Sequence, residues 1–568
     1  MFQIILTLAI FIILVIPMGT YMYHIATKQR TFADPVFDRV DNCIYKICRI
    51  DRAGMNWKQY TMNLIIANAV MVFAGYLILR LQGILPGNPN GIHGMEADLS
   101  FNTIISFMTN TNLQHYAGES GLSYLSQMLV ITFMMFTSAA SGFSACMAFC
   151  RGLAGKSKDM GNFYEDMIRI TTRILVPFSF LIGLLLVSQG TPQTLISNIT
   201  VHTIEGNLQD LAMGPVAALE SIKHLGTNGG GFFGANSATP FENPTILSNI
   251  IELISMMILP GACVITFGKM LHNRKSEQER EPIFGGHGRV IFATMSILFF
   301  LGLSLCFFSE KAGNPLLEQA GLNMDMGNME GKEVRFGIAQ STLFTTVTTS
   351  FTTGTVNNMH DSLTPLGGLV PMLHMMLNCV FGGKGVGLMN MVMYAILAVF
   401  LCGLMIGRTP EYLGKKIEGK EMKLVAFVLI LHPLLILGFS ALAVSTAGGV
   451  AGISNPGFHG LSQVLYEYAS SAANNGSGFE GLVDNTTFWN LTTGLAMFFG
   501  RYMMIVAQLA IAGSLLAKRK VNVTVGSLKT TNVMFALILV VVVYIFAALT
   551  FFPALALGPI AEHLTLWF

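Results

Sequence analysis

The sequence predicts an all-α polytopic membrane protein with about ten transmembrane helices. Of its 568 residues, 52% are hydrophobic and only 11% are charged, and the mean hydropathy is +0.58. Soluble domains carry about 25% charged residues, so most of this chain is suited to a lipid environment. The 33 basic and 31 acidic residues nearly balance, which gives no support for nucleic-acid binding.

Ten stretches are apolar over about the 20 residues that a helix needs to cross a bilayer. They are roughly 2–23, 62–80, 124–149, 172–189, 246–267, 290–308, 386–406, 424–446, 488–516 and 532–556. The first stretch is followed, not preceded, by basic residues (Lys28 and Arg30). This order is wrong for a cleaved signal peptide and favours a retained helix.

The distribution of lysine and arginine predicts the topology. Most of the 33 basic residues lie in five connections, which alternate with five regions poor in basic residues. Because cytoplasmic loops carry an excess of lysine and arginine, these five connections are predicted to be cytoplasmic and both termini to lie outside.

Four of the outside connections share one pattern. Each has a moderately apolar segment too short to span the membrane, then a turn rich in Gly, Thr and Asn: Leu99–Gln114, Gly214–Gly231, Gly337–Asn358 and Gly460–Gly478. The order helix, pore helix, filter, helix is therefore predicted four times in the same orientation, with one extra helix at each end. The predicted units are residues 1–61, 62–150, 172–270, 290–406, 424–517 and 530–568.

The four turns have the composition of a filter for a monovalent cation. Non-helical backbone at membrane depth is tolerated where protein buries it or where it lines a watery cavity. Carbonyl and neutral side-chain oxygens can replace the hydration shell of such an ion, whereas Mg²⁺ dehydrates reluctantly. Surface loops use the same residue types, but four such turns in register favour a filter. The predicted ion-binding residues are Asn110, Thr111, Asn112, Thr227, Asn228, Gly229, Thr353, Gly354, Thr355, Asn474, Asn475 and Gly476.

Two further features lie within predicted membrane segments. Gly382, Gly383, Lys384 and Gly385 precede the seventh stretch, and this glycine density predicts a flexible loop on the inner side of the pore. Close helix packing through small residues is the alternative. Arg501 lies inside the ninth stretch, where a buried charge is costly and functional by default. It is predicted to repel the ion from a direct exit; a purely structural pairing is the alternative.

The sequence argues against catalysis by this chain. The P-type phosphorylation signature Asp-Lys-Thr-Gly is absent, and the longest cytoplasmic stretch, 24–61, is smaller than a nucleotide domain of ~100 residues. The eight cysteines form no C-x-x-C pair, and no H-E-x-x-H motif occurs. Neither ATP hydrolysis nor an organic cofactor is expected of this chain.

Several runs resemble the A subunit of the bacterial potassium-transporting ATPase, the KdpA family. They are Thr109–Tyr116, Gly226–Phe233, Phe241–Thr245, Met405–Lys416 and Arg501, and the resemblance extends over essentially the whole chain. It implies a K⁺-channel-like fold of the Trk/Ktr/HKT superfamily, and K⁺ as the transported ion. It also implies a plasma-membrane complex with KdpB, which hydrolyses ATP, and with KdpC and KdpF. In that complex K⁺ would enter from outside and reach KdpB through an intersubunit tunnel.

The same resemblance implies roles for single residues. Gln114 would lie near the ion path, and Arg408 and Arg501 would match the coupling arginines of the family. Some members have a glutamate in the gate loop where this chain has Asn378, and an apolar residue where it has Lys384. The alternative is a stand-alone channel or ion-coupled transporter of the Trk/Ktr/HKT type. The extra first and tenth helices and the matching runs favour the pump subunit.

Overall fold

The computed structural model describes residues 2–32, 34–272, 282–407, 409–520 and 528–567. Within these ranges ten helices are long and apolar enough to cross a membrane, which confirms the predicted fold class. They are Phe2–Ala26, Trp57–Leu81, Tyr124–Ala154, Phe163–Gln189, Ile246–Leu271, Gly286–Ala312, Val386–Ile406, Gly419–Ser445, Thr487–Leu516 and Val533–Leu555, numbered here as spans 1 to 10. Spans 3 and 4 include π-helical stretches at Gln127–Thr132 and Thr171–Leu175.

Four shorter helices lie between paired spans and each leads into one of the glycine-rich turns. They are Ala97–Met108, Val216–Leu225, Gly337–Ser350 and Phe458–Ala473, called pore helices 1 to 4. The remaining helices are Asp34–Ile47, Gly118–Gly121, Asn236–Ala238, Pro315–Gln319, Pro365–Leu377, Gly383–Gly385, Ala447–Val450, Ala556–Ile560 and Ala561–Trp567. Two short antiparallel hairpins pair Ile199–His202 with Leu208–Leu211 and Glu411–Tyr412 with Lys415–Lys416.

Burial separates central from peripheral spans. Spans 3 and 5 bury 78% of their most apolar 18-residue window inside the protein, whereas spans 2 and 10 bury only 22% and 28%. A helix that is apolar all round but buries little of itself against protein is suited to face lipid. The second spans of the first two repeats therefore lie towards the centre of the molecule.

Span 1 is held against the centre by close helix packing. A Cβ atom built on Gly261 of span 5 would lie 2.7 Å from Val15 Cγ2, so only glycine permits this approach. Phe11 of span 1 also reaches the interior, where its ring meets those of Phe351 and Phe381 edge-on at 5.8 and 6.3 Å. The extra N-terminal helix thus contacts both the third turn and the glycine-rich loop.

The second membrane segment of the third repeat is divided into two helices by a loop. Helix Pro365–Leu377 comes first, the segment 378–385 follows, and span 7 begins at Val386. The helix before the break has only 13 residues, below the length used to predict a span, and it was therefore not among the predicted stretches. Asn378 ends this helix in a left-handed conformation at φ 44°, a position that asparagine tolerates better than most residues.

Candidate functional site: a ring of four turns

The four turns share one backbone conformation. The first and third residues of a triplet have positive φ in each turn, while the residue between them does not. The pairs are Asn110 and Asn112 (60° and 59°), Thr227 and Gly229 (50° and 115°), Thr352 and Gly354 (50° and 103°), and Asn474 and Gly476 (56° and 110°). Four segments of different sequence thus adopt the same alternating path at the C-terminal end of a pore helix.

Hydrogen bonds to the pore helices fix the direction of this backbone. The amide N–H of the middle residue donates to the carbonyl oxygen five residues earlier in all four turns. The donor–acceptor pairs are Thr111 to Ser106 (2.9 Å), Asn228 to Lys223 (2.8 Å), Thr353 to Thr348 (2.8 Å) and Asn475 to Ser470 (2.9 Å). These bonds occupy the middle N–H groups, and a backbone whose N–H groups are occupied in this way can offer carbonyl oxygens to a cation.

In the third repeat the equivalent triplet begins one residue before the predicted one. The shared φ pattern and hydrogen bond select Thr352–Gly354, whereas the predicted set was Thr353, Gly354 and Thr355. The Thr355 hydroxyl instead donates to Asn236 Oδ1 at 2.7 Å. Aligning the glycine of this turn with Gly229 and Gly476 would have revealed Thr352.

Contacts between neighbouring turns close the ring. A Cβ atom on Gly229 would overlap the Thr353 carbonyl oxygen, one on Gly354 that of Asn475, and one on Gly476 that of Thr111. Only glycine combines this close approach with the positive φ found at these positions. The first turn completes the circle differently, because Asn110 Nδ2 donates to the Thr227 carbonyl oxygen at 2.8 Å.

Side chains brace the ring from the outside. Asn474 Nδ2 donates to Thr111 Oγ1 at 3.0 Å, and Asn475 Nδ2 donates to the Thr348 carbonyl oxygen at 2.8 Å. Gln114 makes two hydrogen bonds with Gly231, donating to its carbonyl oxygen at 3.0 Å and accepting from its N–H at 2.8 Å. Gln114 therefore links the segment that follows the first turn to the segment that follows the second, and its role beside the ion path stays a prediction.

A buried ionic cluster, which was not predicted from the sequence, supports the second turn. Lys223 Nζ lies 2.7 Å from Glu220 Oε2 and 2.6 Å from Glu242 Oε2, and it donates to Asn236 Oδ1 at 2.7 Å. Asn236 Nδ2 in turn donates to the Gly229 carbonyl oxygen at 2.9 Å. Hydroxyls serve at the corresponding pore-helix position in other repeats, for example Ser470 Oγ, which accepts from the Gly476 N–H. The sequence signal that could have indicated this cluster is the presence of charged residues in a short, otherwise apolar segment.

His115 follows the first of the four turns, three residues after Asn112. Its Nδ1 is 2.7 Å from Asn490 Oδ1, and its Nε2 is 3.4 Å from Glu467 Oε1 and 3.8 Å from Asp484 Oδ2. Burial alone would lower the pKa of His115, but Asp484 and Glu467 outweigh burial and raise the pKa to about 9. A protonated imidazole therefore links the first repeat to the fourth.

The glycine-rich loop lies directly beneath the ring. Here "beneath" means the side of the ring on which the first residue of each triplet lies. These first residues are called the deepest because they follow the C-terminal ends of the pore helices. The backbone N–H of Lys384 donates to Thr227 Oγ1 at 3.1 Å, and that of Gly382 donates to the Ser350 carbonyl oxygen at 3.0 Å. The Phe381 ring stacks on Phe351 with centroids 4.6 Å apart. The loop is thus bonded to the ring that it underlies.

Two buried cations lie together below the ring. A Cβ atom on Gly142 of span 3 would lie 2.5 Å from Arg501 Nη2 and 2.6 Å from Lys384 Cβ, so both side chains pack against this glycine. Lys384 is 1% exposed and Arg501 is 3% exposed. Among the described residues, no carboxylate pairs with either cation. Arg408, the other predicted coupling arginine, lies outside the described residues.

Comparisons with known proteins identify the family. The family model for the potassium-transporting ATPase A subunit, KdpA, matches residues 5–564. The potassium-transporting ATPase potassium-binding subunit of Clostridium acetobutylicum is 58% identical over 565 residues, which are 99% of each chain. The subunit of the same name from Geobacillus kaustophilus is 55% identical over 556 residues, 98% of this chain and 97% of that protein.

A solved structure shows the same fold at low sequence identity. The potassium transporter TrkH from Vibrio parahaemolyticus superposes with a TM-score of 0.50 at 15% identity, covering 77% of this chain and 82% of that one. This likeness agrees with the fold predicted from the four repeats. The family match extends over nearly all residues, including both extra spans and all four turns, and the chain therefore belongs to the KdpA family of potassium-transporting ATPase A subunits.

Proposed function

We propose that this chain is the potassium-binding and potassium-translocating subunit of an ATP-driven uptake complex. The observation that carries the proposal is the closed ring of four buried turns, which share one backbone conformation and whose core residues are all neutral. Such a ring replaces the hydration shell of a large monovalent ion, and without a carboxylate it has no preference for divalent ions. The predicted triplets, with Thr352 added in the third turn, are the proposed K⁺ ligands.

The pore helices add to the attraction for a cation. Each ends at its turn, at Met108, Leu225, Ser350 and Ala473, and a helix C-terminus carries roughly half a negative charge. Four such ends converge on the deep side of the ring. A K⁺ ion that lost its water in the ring would therefore be stabilised at the level of the first triplet residues.

The two cations below the ring favour a lateral exit over straight passage. Arg501 remains charged at any physiological pH, and Lys384 is packed on the same glycine. A K⁺ ion moving straight down would approach both without an intervening carboxylate among the described residues. We therefore assign gating and coupling to Gln114, Gly382, Gly383, Lys384, Gly385, Arg408 and Arg501, and propose that K⁺ leaves sideways towards a P-type ATPase subunit.

In the proposed complex, ion selection and ATP hydrolysis are carried out by different chains. This chain selects K⁺, its transported substrate, and a KdpB-type subunit hydrolyses ATP, with KdpC and KdpF as further partners. The complex lies in the bacterial plasma membrane, and both termini of this chain are outside, as the distribution of basic residues predicts. No organic cofactor is assigned to this chain.

The experiment is an ion titration of the purified complex. The chain is co-expressed with its P-type ATPase subunit, and ATP hydrolysis is measured against K⁺, Rb⁺ and Na⁺. Stimulation by K⁺ and Rb⁺, and much weaker stimulation by Na⁺, is expected. Equal stimulation by Na⁺ would contradict a K⁺-selective ring. Rapid K⁺ flux through the chain alone in liposomes, with no ATPase chain recovered on purification, would favour the stand-alone transporter.

A further inference from the structure

The side chain of Lys384 ends among the carbonyl groups of the ring. Its Nζ donates to the Asn474 carbonyl oxygen at 2.5 Å and to that of Thr352 at 3.4 Å. Asn474 and Thr352 are the deepest triplet residues of the fourth and third turns, and the backbone of Lys384 is bonded to Thr227, the deepest of the second. One residue of the loop thus contacts three of the four turns at a single level.

This environment offers an ammonium group what it would offer a dehydrated K⁺ ion. The lysine ammonium is a compact point charge with three donors and no acceptor. At 1% exposure Lys384 has little water around it, and its ammonium group donates to backbone carbonyl oxygens. Carbonyl dipoles and helix C-termini are therefore the groups that stabilise its charge, and these are the groups that stabilise a cation in a filter.

We propose that the Lys384 ammonium is a tethered competitor of K⁺ for a cation position at the deep end of the ring. The position is formed by the carbonyl groups of Thr352 and Asn474. The proposal rests on the proposed function, because it requires that K⁺ enters the ring. Two cations do not share one set of carbonyl oxygens, so K⁺ reaches this level only when the ammonium has moved away.

The surroundings of Lys384 determine how it can move. Gly382 and Gly385 flank it with φ values of 46° and 78°, conformations that allow the loop to change its path at low steric cost. Arg501 Nη2 packs against the same Gly142 as Lys384 and opposes withdrawal of the ammonium towards it by like-charge repulsion. Arg501 is therefore a positioning residue for Lys384, and the closed arrangement with the ammonium in the ring is the resting one.

The test compares neutral replacements of Lys384 in the complete complex. Lys384→Met keeps much of the length of the side chain, and Lys384→Gln keeps a hydrogen-bond donor, but both remove the charge. Lys384→Arg keeps the charge. Lys420, an exposed lysine on the same chain, provides the matched control Lys420→Met. For each variant, the K⁺ concentration for half-maximal rise in the thermal unfolding midpoint is measured, together with K⁺-stimulated ATPase and passive ⁸⁶Rb⁺ flux without ATP.

Both neutral variants are expected to need about tenfold less K⁺ for half-maximal stabilisation and to show faster passive flux, since a competitor is lost. Lys420→Met should stay close to the wild type, and Lys384→Arg, which keeps a cation in the ring, should show neither the gain in apparent K⁺ affinity nor the faster passive flux. The proposal is overturned if either neutral variant assembles and keeps wild-type K⁺ dependence and flux. It is also overturned if both neutral variants fail to assemble while Lys384→Arg assembles, because the lysine is then a structural support. If the wild-type complex itself does not distinguish K⁺ from Na⁺, the proposed function fails instead.

Discussion

A methyl group added at Gly229 should damage K⁺ binding far more than the same group added at Gly190. The two glycines have nearly equal φ values, 115° and 109°, so alanine would suffer similar backbone strain at both. Such strain costs about 1–3 kcal/mol for a residue with a side chain. At Gly190 the added Cβ atom would have no heavy atom within 4 Å. At Gly229 it would overlap the Thr353 carbonyl oxygen and lie 2.7 Å from Gly354 Cα.

The difference between the two variants isolates the contact within the ring. Forcing one extra methyl group into packed atoms costs typically about 1–3 kcal/mol, and here the displaced atoms are the proposed K⁺ ligands. If that cost falls on the ion-bound ring, the K⁺ concentration for half-maximal activity rises about 5- to 150-fold in Gly229→Ala. Gly190→Ala should keep the wild-type value and lose only some thermal stability.

The assay is K⁺-stimulated ATP hydrolysis by the purified complex, with the unfolding midpoint measured on the same preparations. A parallel rise of the half-maximal K⁺ concentration in both variants would assign the effect to backbone strain and refute the argument from the ring. An unchanged value in Gly229→Ala, at normal yield, would show that the second turn does not hold the ion.

Four further outcomes are expected. Gly354→Asp places a carboxylate in a neutral ring and should weaken both K⁺ affinity and discrimination against Na⁺, as read from ion-titrated ATPase. Arg501→Gln should retain K⁺ binding but uncouple hydrolysis from ⁸⁶Rb⁺ uptake, whereas Arg501→Lys should be milder; loss of assembly in both would indicate a structural role. The chain alone should form no phosphorylated aspartate during incubation with labelled ATP. His115 should stabilise the fold fully below pH 6.5 and progressively less as the pH rises through about 9, so a midpoint that falls over this range in the wild type should fall less in His115→Gln.

Hydropathy and charge were sufficient to predict the spans, because the bilayer imposes a length and excludes charge at every crossing. All ten predicted stretches fall on helices of the structure, and the seventh, 386–406, coincides with span 7. Helix Pro365–Leu377 was missed since it is shorter than a span, although it continues into the membrane path of the third repeat. The criterion of about 20 consecutive apolar residues describes uninterrupted helices, so it does not detect a membrane segment that a loop divides into two shorter helices.

The candidate site was predictable only in part. Four similar turns could be found because their composition repeats. In the third turn, however, the predicted triplet begins one residue after the one with the shared backbone conformation, since Thr352, Thr353 and Thr355 are chemically alike. The backbone conformation, which separates them, depends on the hydrogen bond to the pore helix. Lys223 could be noticed as a charge in an apolar segment, yet its partner Glu242 lies 19 residues further along the chain. No local pattern indicates that pairing.

The four repeats agree in backbone but differ in the chemistry that surrounds the ring, and this difference bears on where an ion can go. The first turn has Asn112 where the others have glycine, and the second has Lys223 behind it where the third and fourth have hydroxyls. The third repeat is broken into a loop that carries Lys384 under the ring, and the fourth brings Arg501 beside that lysine. A fourfold array suits a spherical ion, but below this array the described residues place buried cations from the third and fourth repeats. We therefore expect asymmetry between the repeats to set the direction of exit, and their likeness to set ion selection.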